Sequence, residues 1–151
     1  MKRTLTACFV FLLFGCATTP RTAVRVDVEE QPDARHWRVH YEFPRPVSEI
    51  SFPNTRAPFR GTRWTIVEPA GATWKGLWQH DTIVFRSPTT HTTVEFADDF
   101  SEREKDYLLN VAFTDGSRLL YTGHLRVSDE PHVWHFQTAA NRTIRVADRS
   151  S

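Results

Sequence analysis

Apolar and polar side chains alternate along most of this chain. Val24, Val26 and Val28 alternate with Arg25, Asp27 and Glu29, and Trp37, Val39, Tyr41 and Phe43 alternate with His36, Arg38, His40 and Glu42. Successive side chains of a strand point to opposite faces, so a period of two marks a strand with one face buried. Ile50 and Phe52, Trp64 and Ile66, Ile83 and Phe85, and Val94 and Phe96 give shorter versions. Tyr107, Leu109, Val111 and Phe113 form a longer row, with Leu119, Tyr121, Leu125 and Val127 as its partner. Between these two rows lies Thr114-Asp115-Gly116-Ser117, whose Asp-Gly pair supplies the positive φ angles of a tight hairpin. Pro69-Ala70-Gly71 marks another turn, and Pro44, Pro46, Pro53 and Pro58 cut the region after the second strand into short pieces. Ser101-Glu102-Arg103-Glu104 fits a capping box for a helix of a turn or two. Beyond Pro131 the pattern predicts an edge strand around Trp134 and Phe136, then a last strand around Ile144 and Val146. The sum is an all-β domain over residues 23–151, an antiparallel β-sandwich of roughly nine short strands.

The start of the chain breaks this pattern. Lys2 and Arg3 precede a mostly apolar run over 5–14. A membrane-spanning helix needs roughly 20 such residues. A charged start, a short apolar stretch and small residues at its end make a secretory signal. Leu13-Phe14-Gly15-Cys16, which closes the run, resembles the lipobox of bacterial lipoproteins. The resemblance implies that residues 1–15 are removed as a signal peptide and that Cys16 is the lipidation site, acylated on its sulfur and its new amino terminus. Residues 16–22 then form a short tether. Ala17, standing where an aspartate would retain the protein at the inner membrane, implies the periplasmic face of the outer membrane of a Gram-negative cell. An ordinary cleaved secretory signal is the other reading of the same run.

Cysteine usage agrees with an acylated terminus. Cys8 and Cys16 are the only two. Loss of Cys8 with the signal and acylation of Cys16 leave a body without a disulfide, a thiolate nucleophile or a cysteine metal site. Removing 15 of 151 residues leaves 136, a length that suits one domain with its own core. Removing Lys2 and Arg3 from 19 basic residues leaves 17 against 18 acidic ones. Such a near-neutral body has no basic stripe for nucleic acid. The expected partners are the membrane, through the lipid, and an envelope protein or a glycan.

Little of the chain points to catalysis. No HExxH, glycine-rich phosphate loop or G-x-S-x-G elbow occurs, and no cofactor or metal is predicted. His36 and His40 share the polar face of one strand, roughly 13 Å apart, too far to ligate one metal ion together. His132 and His135 share a face only if they lie on a helical turn; on a strand they point apart. His124 falls opposite the apolar row of its strand, and Gly123 beside it suggests a bulge or a close backbone approach. Asp98-Asp99 and Glu102 with Glu104 read as solvated turns. The stretch Thr73-Trp74-Lys75-Gly76-Leu77-Trp78-Gln79-His80 alternates poorly. In an exposed loop, Trp74 and Trp78 would form a platform for a sugar ring or a partner, with Lys75, Gln79 and His80 supplying polar contacts. The competing reading packs both indoles into one end of the sandwich.

The strand His36-Trp37-Arg38-Val39-His40-Tyr41 and the hairpin Phe113-Thr114-Asp115-Gly116-Ser117, running into Leu120-Tyr121-Thr122-Gly123, carry a second likeness. Residues 24–127 resemble the N-terminal β-sandwich domain that precedes the catalytic domain of gluzincin-type membrane aminopeptidases. The zinc-binding helix of those enzymes is absent here, so the resemblance implies no catalytic residue. Three functions follow as expectations: an acyl-anchored sandwich that binds a protein or supports the envelope, a glycan- or peptidoglycan-binding module, and a stand-alone accessory domain of a metallopeptidase.

Overall fold

The computed structural model describes residues 22–33, 35–52, 60–77, 80–97, 110–115, 117–139 and 143–147. The lipobox with Cys16, Pro53, Pro58, Trp78, Gln79, Asp98-Asp99, the capping-box sequence at 101–104, Tyr107, Leu109 and Gly116 lie outside the described residues. Among the described residues nine strands form two sheets. The larger holds β1 (Val24–Glu30), β2 (His36–Phe52), β3 (Trp64–Glu68), β4 (Thr73–Leu77), β5 (His80–Ala97) and β8 (His132–Gln137). Its order is β3-β5-β2-β1-β8, with β4 also paired to β5. The smaller sheet runs β6 (Asn110–Ala112), β7 (Arg118–Tyr121), β9 (Ile144–Ala147). A helical turn, α1 (Arg60–Arg63), precedes β3, and a 3₁₀ turn over Thr122–His124 follows β7. Among the described residues no helix is long and apolar enough to cross a membrane.

The all-β sandwich is therefore present, with one refinement of the pairing. Two pairs are parallel, β1 with β8 and β7 with β9, so both sheets are mixed. The first arises because β8 enters the sheet at the end where β1 begins, where the Val24 amide donates to Pro131 O at 2.8 Å.

Two strands are also long rather than short. Trp37–Phe43 and Ile50–Phe52 patterns belong to a single strand of 17 residues, and the patterns at Ile83 and Val94 to another of 18. In β2 the buried side chains are odd-numbered from Trp37 to Phe43, then even-numbered at Ile50 and Phe52. In β5 the core-facing side chains are odd-numbered at Asp81, Ile83 and Phe85, then even-numbered at Thr92, Val94 and Phe96, while Thr82 and Thr93 are covered on the opposite face. The β2–β5 register shifts between Glu42 and Val47 and again between Val47 and Glu49. Because side chains alternate strictly, a bulge is what lets one strand keep both halves facing the core. Pro44 and Pro46 in β2 and Pro88 in β5 sit in this irregular middle, where a missing N–H costs least. Beyond it β5 changes neighbour, pairing with β4 over its first half and β3 over its second.

The turn between β3 and β4 holds a cis Glu68-Pro69 bond and Gly71 at φ +81°. An added Cβ at Gly71 would meet the Arg86 side chain only at 3.7 Å, so space is no obstacle. The obstacle is backbone: a side chain at positive φ costs about 1–2 kcal/mol unless it is Asn or Asp. Gly71→Ala is expected to lower the melting temperature by roughly 3–6 °C, and Gly71→Asn by less. Equal, unchanged melting of both variants in a calorimetric scan would show that the turn tolerates any residue.

One core unites the sheets. Val24, Val26, Val28, Trp37, Val39, Tyr41, Ile83 and Val94 of the larger sheet pack with Leu120 of β7 and with Leu125 and Val127 beyond it. Leu119 and Tyr121, expected to form the inward row of β7, are only half-buried, and Leu120 is the residue with no exposure. Leu125 and Val127 are buried outside any strand, because the 3₁₀ turn ends β7 at Tyr121 and resets the alternation. Burying a side chain of this size contributes roughly 1.5–3 kcal/mol.

Candidate functional site

The outer face of the larger sheet carries the densest set of chemically active groups. Asp27 of β1 sits opposite His40 of β2 on one side and opposite His135 of β8 on the other. His40 in turn faces Thr93 of β5, and Thr93 faces Glu68 of β3. One row thus crosses five strands as His135, Asp27, His40, Thr93, Glu68. A groove of about 380 Å³ lies over its β8–β1–β2 part, lined by Arg25, Asp27, Glu29, Arg38, His40 and His135 among others. Most of its charges are paired. Arg25 Nε meets Asp27 Oδ1 at 3.0 Å and its Nη1 lies 3.9 Å from Glu42. Arg38 Nε donates to Glu95 Oε1 at 2.7 Å.

Beyond the groove the row becomes a hydrogen-bonded chain. Thr93 Oγ1 donates to Glu68 Oε1 at 2.6 Å, and His40 Nδ1 lies 2.8 Å from the same hydroxyl. A hydroxyl has one proton, and Thr93 gives it to Glu68, so His40 Nδ1 must be the donor to Thr93. In the neutral ring Nε2 then carries the free lone pair. The hydroxyl of Thr93 holds the Glu68 carboxyl below the ordinary carboxylate range against slight burial, and His40, His91 and Arg38 add in the same direction. The His91 ring stacks on His40 with centroids 6.1 Å apart. The polar face expected of His36 and His40 is thus present, with partners supplied by β3 and β5. His36 itself is held by Asp33, its Nδ1 2.5 Å from Oδ2. Among the described residues no group of three His, Cys, Asp or Glu is placed to hold a metal ion.

A second polar cluster is buried. Arg60 has no exposure and Asp81 only 1%. Arg60 Nη1 donates to Asp81 Oδ2 at 3.0 Å, its amide to the same oxygen at 3.2 Å, and its Nη2 to His124 O at 2.8 Å. The guanidinium lies over the rings of Phe52 and Trp64, 4.8 and 5.2 Å from their centroids. Burial drives the Arg60 pKa down, and Asp81 offsets part of that. His124, expected to face away from the core, is buried instead. The 3₁₀ turn that replaces the strand at Thr122 swings its ring inward, edge-on to Tyr121 at 4.9 Å. Burial first, and Arg60 second, lower its pKa to about 4. At Gly123 a Cβ would lie 2.7 Å from the Tyr121 ring, so this glycine lets the ring pack over the backbone, the close approach expected of it. Tyr41 Oη donates to Leu125 O at 2.9 Å and completes the seam. These groups join the larger sheet to the segment after β7.

Of the tryptophan-bearing stretch, Thr73–Leu77 forms strand β4 and His80 opens β5. Trp74 is half-buried, with its ring 5.7 Å from Phe52 and 6.3 Å from Trp64, and its Nε1 donates to Trp64 O at 3.1 Å. Lys75 and His80 are exposed near the same end. Trp78, the other half of the expected platform, lies outside the described residues. His132 and His135 are on strand β8 and point to opposite faces: His132 accepts from the Val127 amide at 3.2 Å and stacks on Trp134, while His135 is exposed.

Compared with family models, with curated proteins and with solved structures, the chain matches none.

Proposed function

We propose that this protein is an acyl-anchored lipoprotein of the outer membrane, facing the periplasm, whose β-sandwich binds a partner protein without catalysing a reaction. The observation that carries the reading is Leu13-Phe14-Gly15-Cys16 at the end of a short apolar run, eight residues before β1 opens at Val24. A chain of that length spans at most about 28 Å, so lipid on Cys16 would keep the sandwich close to the bilayer. Stable anchoring takes at least two acyl chains, which a doubly modified cysteine supplies. Protein binding is favoured over glycan binding because the Trp74 indole is spent on Phe52, Trp64 and a backbone carbonyl.

The test is metabolic labelling with a palmitate analogue, followed by fractionation. The native protein is expected to be labelled and to sediment with outer membranes. Cys16→Ala is expected to lose both properties. A native protein that stays unlabelled and washes free of membranes overturns the reading.

A further inference from the structure

We propose that the groove across β8, β1 and β2 binds a lysine- or arginine-bearing segment of a protein partner, with Glu29 as its anchor. The proposal rests on the reading of the domain as a protein-binding module and adds the surface and the partner's chemistry. The argument is an inventory of donors and acceptors. The two arginines of the groove are spent within the sheet, Arg25 on Asp27 and Arg38 on Glu95. Glu29, which lines the groove and sits opposite Arg38 and Gln137, holds no hydrogen bond or ion pair among the described residues. The His40 ring is turned by its Nδ1 bond to Thr93, so in its neutral form the other nitrogen accepts rather than donates. What the groove has left to offer is the Glu29 carboxylate, the free His40 nitrogen and the polar ends of His135 and Gln137. Formal charge agrees at this spot: with Arg25 held by Asp27 and Arg38 by Glu95, the Glu29 carboxylate is the charge of the groove left uncompensated. The complementary group is a cationic donor, an ammonium or a guanidinium. A groove of about 380 Å³ on a broad sheet face suits a side chain of an extended segment.

Full-length protein in detergent micelles, titrated with tetralysine and followed by amide NMR shifts, tests this. Shifts are expected at β1, β2 and β8, and none with tetralysine acetylated on every side-chain nitrogen. Glu29→Gln should weaken binding by roughly three- to fivefold. Glu49→Gln, which neutralises an exposed carboxylate of β2 outside the groove, should leave it unchanged. Thr93→Val, which cuts the chain between His40 and Glu68, should weaken it by less than Glu29→Gln does. No shifts, or equal losses from Glu29→Gln and Glu49→Gln, would overturn the proposal, the second outcome meaning diffuse attraction. Concentration-dependent shifts at the groove without peptide would assign the face to a second copy and overturn it too. None of these readouts depends on acylation of Cys16, so failure here and failure of the anchoring test are separable.

Discussion

Arg60→Met is expected to be among the most damaging single substitutions in the domain, costing about 3–5 kcal/mol of unfolding free energy. The reason lies in what it leaves behind. The Asp81 carboxylate is 1% exposed, and Arg60 supplies both a guanidinium N–H and a backbone N–H to its Oδ2. Methionine keeps the backbone bond and the contact with Phe52 and Trp64, but it removes the cation. It also deprives His124 O of its 2.8 Å donor. Replacing both charges together is a different matter, because two desolvated ions are exchanged for apolar packing. Arg60→Met with Asp81→Leu should recover most of the loss, since pairs like this are often matched by well-packed apolar substitutes. Urea midpoints of the two single variants and the double variant give the coupling between the sites. A loss below about 1 kcal/mol for Arg60→Met would mean that Asp81 finds water or another partner, and that the cluster is no seam.

How much of this was legible beforehand depends on the range of the interactions. β1 and the first half of β2 were fully readable, because Val24, Val26, Val28 and Trp37, Val39, Tyr41, Phe43 all face one core and nothing interrupts their alternation. The second halves of β2 and β5 read as separate short strands because the bulged middle reverses parity, and a pattern of two cannot be followed across a reversal. Inside β7 the alternation points to Leu119 and Tyr121, whereas Leu120 faces the core. Leu119 and Leu120 are both apolar, so only the packing of the two sheets decides which turns inward. The parallel position of β8 depends on where the chain re-enters the sheet, which local sequence does not encode. The candidate site was visible only as a polar strand face. Its character comes from partners far along the chain: Thr93 lies 53 residues from His40, and Glu68 lies between them in sequence, 25 residues before Thr93. The same holds for Arg60 and Asp81, which meet across 21 residues. Arg60 had no pattern to mark it, since it follows a proline-broken stretch and sits in a single helical turn.

Stability should also fall with acidification in a window set by His124. Its ordinary pKa near 6.5 is lowered to about 4 in the folded protein by burial and by Arg60. Tyr121 covers one side of the ring, and the nearby Tyr41 hydroxyl is committed to Leu125 O. Above pH 6.5 the ring is neutral in both states and its contribution is fully present. Between 6.5 and 4 the unfolded chain takes up a proton that the folded domain refuses, so unfolding becomes progressively easier. Below 4 both states are protonated and the loss levels off, at a total on the order of 3 kcal/mol. Carboxylates also destabilise the fold in acid, but Asp33, Glu68 and Asp115, whose pKa values hydrogen bonds lower, act toward the lower end of this range and below it. Subtraction isolates the histidine. His124→Leu keeps an apolar side chain in the pocket and removes the titration. Urea unfolding of native and variant proteins from pH 7.5 to 4 should give stability curves that converge as the pH falls. Parallel curves across that span would mean that the imidazole reaches water in the folded state, and that the seam between the sheets is wetter than its geometry requires.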